Sequence, residues 1–408
     1  MKHTFLCLFA LLTVISFFGC VDDDDRPFIP EVELEVPATY AFVRNGESTV
    51  SFSGQTDRIA MAEELISAMQ DEDRSLESLN NMFRNPEGID PFASAELNAS
   101  TKSVRSKVAA STVGFGTNAV LSAEIKADFD GWLAAQVNEV FPAWNQLAAP
   151  GQPGQIADGS SVRYVNANGL EYNQAFAKSL IGALMVDQIN NNYLAGAVLD
   201  AGTARTDNEA EVLEADKPYT YMEHRWDEAF GYLFGASTTP ATPLLDLESA
   251  DSFLNKYLGR VEGDADYAGI AAEIEEAFRT GRQAIVQNEF AARDEEARKI
   301  QDALEKVIAV RAVYYLKQGE ANLRATPAQR GAAFHDLSEG YGFIYSLRFF
   351  QTRGTDAVLD WYGLSEDYLS RLENNDGNGW WDINPATLDE LAREIAALTG
   401  VSVDEAGS

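Results

Sequence analysis

The sequence predicts an all-α protein: a duplicated helical bundle with a short extended N-terminal segment. Three observations carry this expectation. Apolar residues recur at helical spacing from Arg58 onward, beginning with Ile59, Ala62, Leu65, Ile66 and Met69. Alternating strand patterns are scarce after residue 56. The windows that follow His224 and His335 match each other, which points to an internal repeat.

The composition bounds the rest. With 408 residues, 46% of them hydrophobic, the chain can bury a large core. Its 64 acids against 31 bases give a formal net charge of -33. That balance argues against nucleic acid and against anionic lipid as partners, since both attract basic surfaces.

Residues 1–19 read as a lipoprotein signal peptide. Lys2 and His3 open it, and the apolar run from Phe5 to Phe18 is shorter than the roughly 20 residues a membrane span takes. The run ends Phe17-Phe18-Gly19-Cys20, so Cys20 is the expected lipidation site and the link to the membrane. Phe17 and Phe18 depart from the Leu and the small residue usual in such a box, and an ordinary secretory signal is the alternative. Residues 20–36 form an acidic linker. The run Asp22 to Asp25 is either a solvated spacer or a sorting signal for the cell surface. The expected location is the outer membrane, with surface exposure as the sharper reading.

Residues 37–240 are expected to hold the extended segment and the first bundle. Alternation at Tyr40 and Phe42, then at Val50 and Phe52, suggests one or two short strands. Helical patterns follow at 123–148, 171–195 and 219–235, with a Gly- and Pro-rich loop at 149–169. Residues 241–408 are expected to form the second bundle, packed as one unit with the first. Its patterns run over 267–293, 296–318, 328–350 and 386–399. Thr326-Pro327 and Asn384-Pro385 look like helix starts, an N-cap followed by Pro at the first helical position.

Past the leader, His224 and His335 are the only histidines. One window reads His224-Arg-Trp-Asp227-Glu228-Ala-Phe-Gly231, the other His335-Asp-Leu-Ser-Glu339-Gly-Tyr-Gly342. Residues i and i+4 share a helix face, so each His and Glu can point at one spot. A mid-helix Gly at i+7 suggests close approach of another helix or a ligand. Facing helices would bring two imidazoles and two carboxylates together, a donor set for Fe, Zn or Mn, with Asp227 assisting. The plainer reading is one His–Glu hydrogen bond per bundle that fixes helix register. The oxygen-rich stretch Glu373 to Asp382 is a weaker Ca²⁺ site, or a polar turn capped by Trp380 and Trp381. The aromatic residues around the repeats line a pocket or, as is commoner at helical spacing, fill the core.

Two resemblances follow from these residues. Pro37-Ala-Thr-Tyr40-Ala-Phe42, then Ser53-Gly54-Gln55-Thr56 and Arg58, with the His224 and His335 segments, resemble a family of uncharacterised bacterial lipoproteins across the whole mature chain. More distantly, His224-x-x-Asp227 with Leu233-Phe234-Gly235 is similar to the motif region of imelysin-type proteins. Met222 and Asp227 depart from that motif, where it has Gly and Glu. The second likeness implies two helical bundles and an accessory role in iron uptake, beside an outer-membrane transporter or an imelysin-like protein.

The residues exclude much chemistry. The one cysteine left past the leader is the expected lipid carrier, so no thiol nucleophile remains. Two histidines cannot build a three-histidine zinc site. Three functions stay open: a non-enzymatic metal or metal-complex binder, a metal-activated hydrolase on the same cluster, and a structural partner lipoprotein.

Overall fold

The computed structural model describes residues 34–351 and 359–407. The predicted Cys20 anchor and the acidic run lie outside them. The described residues from Glu35 onward form one compact unit, and it is helical. The principal helices are α1 (Ser53–Ala68), α2 (Leu76–Arg84), α3 (Ala119–Ala135), α4 (Tyr172–Leu180), α5 (Tyr221–Phe234), α6 (Leu254–Glu262), α7 (Ile270–Val286), α8 (Phe290–Arg324), α9 (Arg330–Ser346), α10 (Trp361–Glu373) and α11 (Pro385–Thr399). None of the described helices is long and apolar enough to cross a membrane.

Strands are confined to two small hairpins. The first pairs β1 (Val43–Arg44) with β2 (Glu47–Ser48), in the segment expected to be extended. The second pairs β3 (Gly154–Asp158) with β4 (Ser161–Val165), inside what the sequence suggested was loop. Gly159 at φ +57 supplies its left-handed turn, a conformation other residues adopt at a cost.

Helix α8, about 50 Å long at 1.5 Å per residue, is the central strut. It packs along α7, α9 and α11. Helix α9 also packs closely on α4, and α5 on α1 and α7. Helices from both sides of residue 240 therefore share one core, continuous from Tyr40 to Ala406. Helix α4 runs on through two π-helical segments, Ile181–Val186 and Ile189–Tyr193, where it buries Asp187, Gln188, Asn190, Asn191 and Asn192.

Local chemistry sets the boundaries. Thr220 starts α5 with a reciprocal capping box: its hydroxyl accepts from Glu223 N–H, and the Glu223 carboxylate accepts from Thr220 N–H at 2.8 Å. Asn384 caps α11 with Pro385 at the first position, as expected. The other expected start is corrected. Helix α9 begins at Arg330 behind Gln329, and Thr326 and Pro327 belong to the preceding loop. The patterns at 267–293 and 296–318 also divide differently, because Asn288 takes φ +59 and separates α7 from the single long α8.

The two repeat glycines sit at tight helix contacts. A Cβ on Gly342 would lie 2.3 Å from Lys178 Cβ and 2.7 Å from the Ser179 backbone N. A Cβ on Gly231 would lie 2.4 Å from Phe52 Cβ. Backbone cannot yield cheaply, so Gly342→Ala is expected to destabilise the protein by about 1–3 kcal/mol. Gly131→Ala, in α3 with nothing within 4 Å, is expected to stabilise it by about 0.5–1 kcal/mol. Denaturant midpoints of the two variants check the contrast.

Candidate functional site

The two His–Glu pairs stand in different surroundings. His224 Nε2 lies 3.9 Å from Glu228 Oε2, and His335 Nε2 lies 3.8 Å from Glu339 Oε1. Both distances exceed a hydrogen bond, so neither pair forms the register bond that the spacing allows. Among the described residues, no group of three or more His, Cys, Asp and Glu side chains is placed to hold a metal ion. The four side chains therefore do not come together as one donor set.

Asp227 has another partner. It is fully buried beside the equally buried Arg282, whose Nε donates to Asp227 Oδ1 at 3.1 Å. Tyr40 hydroxyl donates to the same oxygen at 2.7 Å, and Ser51 N–H to the other at 3.2 Å. Arg282 also reaches Glu223 at 3.0 Å and the Thr49 hydroxyl at 2.9 Å, and its guanidinium lies over the Phe42 ring. Arg44 closes on Glu223 at 2.8 Å. This polar knot fastens the extended N-terminal segment to α5 and α7.

Glu228 is likewise occupied. Gln55 donates to it at 3.1 Å, and Arg225 pairs with its other oxygen. His224 stacks on Tyr219 with ring centroids 4.5 Å apart. Burial pushes its imidazole below the ordinary value, and Glu228 only partly offsets that.

The second pair borders a cavity. Three helices each supply residues one turn apart: Lys256 and Arg260 from α6, Arg311 and Tyr315 from α8, His335 and Glu339 from α9. The pocket they line holds about 560 Å³. Glu339 lies at its buried end. Tyr257 hydroxyl donates to Glu339 Oε1 at 3.1 Å, and Lys178 Nζ stands 3.5 Å away. Burial works against the charged carboxylate, but Lys178, His335, a hydrogen bond from the Tyr315 hydroxyl and Arg311 outweigh it and hold Glu339 down at about 2. On its other side, His335 Nδ1 lies 2.9 Å from Glu171 Oε1. A carboxylate can only accept there, so Nδ1 carries the proton. Burial opposes the imidazolium, yet the Glu171 bond and the Glu171 and Glu339 charges raise its pKa overall.

Arg311 is the residue that composition and spacing missed. It is 8% exposed. Its guanidinium lies 4.0 Å from the Tyr314 ring centre and 4.5 Å from that of Tyr315. Its Nε has no hydrogen-bond partner, and among the described residues no carboxylate forms an ion pair with it. The signal was an arginine inside the apolar run Val307 to Leu316. Lys256 adds a second cation, its pKa lowered by burial and by the neighbouring Lys178.

The oxygen-rich stretch after α10 closes on itself. Asp382 accepts from Asn378 N–H at 3.0 Å, from the Asn378 amide at 2.9 Å and from the Asn374 amide at 3.0 Å. Trp380 indole donates to the Leu372 carbonyl, and Trp381 to that of Ala167.

Fold and pocket define a helical protein with a tyrosine-framed pocket lined by charged side chains of both signs. The chain belongs to the family described as a domain of unknown function, DUF4856, which it matches over residues 37–402. No curated protein and no solved structure matched it.

Proposed function

We propose that the protein is a non-catalytic binding protein, tethered to the membrane by lipid on Cys20, whose ligand is a small anion held at Arg311. The observation that carries this is an arginine 8% exposed, its Nε buried without a hydrogen-bond partner and with no ion pair to it among the described residues, lining an open pocket in a chain of net charge -33. A buried charge costs several kcal/mol unless it is paired. Arg311 offsets part of that cost through its tyrosine rings and the nearby Glu339 charge, and a bound carboxylate or phosphate oxyanion adds a direct partner.

Binding fits these groups better than turnover. Glu339, held at about 2, is a weak general base at neutral pH. The pocket's carboxylates stand among the cations Lys256, Arg260 and Arg311, and among the described residues no three of its acidic and histidine side chains are grouped to hold a metal ion. This moves the expected role of His335 and Glu339 from ligating a metal to shaping an anion site.

The test is thermal unfolding in sodium acetate against sodium chloride at matched ionic strength. Acetate is expected to raise the midpoint of the wild type, because a ligand that binds only the folded state stabilises it by mass action. The gain should vanish in Arg311→Met. Midpoints that follow ionic strength alone, whatever the anion, overturn the proposal.

A further inference from the structure

The geometry points to a sugar acid as the ligand of the Arg311 pocket: one carboxylate on a ring that carries several hydroxyls. This inference rests on the anion-binding reading above and adds the remainder of the ligand.

Size comes first. A water molecule takes about 30 Å³ of liquid volume, so a lone inorganic anion would leave most of the roughly 560 Å³ to solvent. The cavity has the dimensions of an organic ligand site.

Charge balance comes second. The lining is not uniformly cationic, since Asp264, Asp336 and Glu339 share it with Lys256, Arg260 and Arg311. A polyanion that satisfied the cations would be driven against three carboxylates. A single carboxylate avoids that. The planar Arg311 fork matches it with two parallel hydrogen bonds, and Lys256 adds a point charge.

The carboxylates then need donors. Glu339 already receives Tyr257, Tyr315 and Lys178. Asp336 accepts from the Asn322 amide at 2.8 Å through one oxygen, and Asp264 from Asp266 N–H at 3.0 Å through one oxygen. Asp336 and Asp264 each have a second oxygen to offer, and sugar hydroxyls donate to such acceptors without adding charge. Tyr314, only half-buried, completes the frame with its ring and hydroxyl, while Tyr257 and Tyr315 are buried beneath Arg311 and bonded to Glu339. A sugar ring has the complementary make-up, with C–H faces and a hydroxyl rim.

Isothermal titration of the full-length protein separates the possibilities, with glucuronate, glucose, acetate, inorganic phosphate and alanine as probes. Glucuronate is expected to bind about tenfold or more tightly than acetate, as one or two added hydrogen bonds to charged acceptors would give. Glucose, which lacks the anion, is expected not to bind. Arg311→Met should weaken both glucuronate and acetate. Asp264→Asn, a loop change that leaves the core intact, should weaken glucuronate by about tenfold and leave acetate as it was. If acetate or phosphate matches glucuronate, the anion site stands and the sugar acid is overturned. If alanine binds most tightly, the ligand is a zwitterion and the inference fails. If no anion binds a folded protein, both readings fall.

Discussion

Arg282→Met is expected to destabilise the protein by about 3–5 kcal/mol, the usual cost of removing one partner from a buried ion pair. Arg282 is fully buried, and it neutralises two carboxylates at once, Asp227 and Glu223, themselves 0% and 1% exposed. Methionine would fill much of the space but leave Asp227 with only the Tyr40 hydroxyl and the Ser51 N–H. Glu223 would keep Arg44 and its cap on Thr220, so most of the penalty falls on Asp227. Two companions locate the effect. Asp227→Asn in the Arg282→Met background should recover part of the loss, since the unpaired charge is gone. Tyr40→Phe alone should cost roughly 1 kcal/mol, the net worth of one hydrogen bond. Chemical denaturation of the four proteins measures this. An Arg282→Met variant as stable as the wild type would show that the knot is not what fastens the N-terminal segment.

That knot also shows how far the sequence could be read. The two stretches that carry the family resemblance bond to each other: Tyr40 to Asp227, Gln55 to Glu228, and the Thr56 hydroxyl to the Gly235 carbonyl at 2.7 Å. Pattern alone could mark Tyr40, Asp227 and Glu228 as special, but not that they were partners across 173 or more positions. The helix periods were legible because each helix turns one apolar stripe to a single core. The pairing of Gly231 and Gly342 with close contacts was legible for the same reason, since a helix tolerates mid-span glycine where space is short. The β3–β4 hairpin was not, because nearly all its residues are half-exposed or exposed and lack clean alternation. The pocket was half legible. His335 and Glu339 mark it, but i,i+4 spacing names a shared face and not what faces it. What faces Glu339 is Lys178 and Tyr257, from helices α4 and α6, and what completes the pocket is Arg311 from α8. The spacing alone could not choose between a metal and these cations as the carboxylate's neighbours.

The stability of the folded protein is expected to fall as pH rises from about 4.5 to 8, by several kcal/mol in total. Burial pushes the carboxyls of Asp251 and Glu305 up to about 7 and those of Asp187 and Asp336 up to about 6. Each therefore binds its proton more tightly folded than unfolded. Its contribution is fully present below the ordinary carboxyl range and is lost as pH climbs through 6 to 7. A tenfold gain in proton affinity on folding is worth about 1.4 kcal/mol, so two such groups already account for several. His335 acts in the same direction, because its raised pKa means the imidazolium's contribution is lost above its folded value. Glu339 acts oppositely. Its carboxyl stands at about 2, so its contribution is present above the ordinary range and lost as pH falls from about 4.5 toward 2. Asp200 and Asp389, also held at about 2, form solvent-screened pairs and add little to that acid limb. The stability optimum accordingly sits near pH 4.5 to 5, on the acid side of neutrality. Self-repulsion of a chain at -33 works in the same sense, and high salt separates the two. Salt screens surface repulsion but leaves the buried carboxyls untouched, so the decline should persist at high salt. It should flatten in the Asp251→Asn/Glu305→Gln double variant, which keeps shape and removes two titrations. A profile level from pH 5 to 8, or one that salt abolishes, would show that these carboxyls do not hold their protons in the fold.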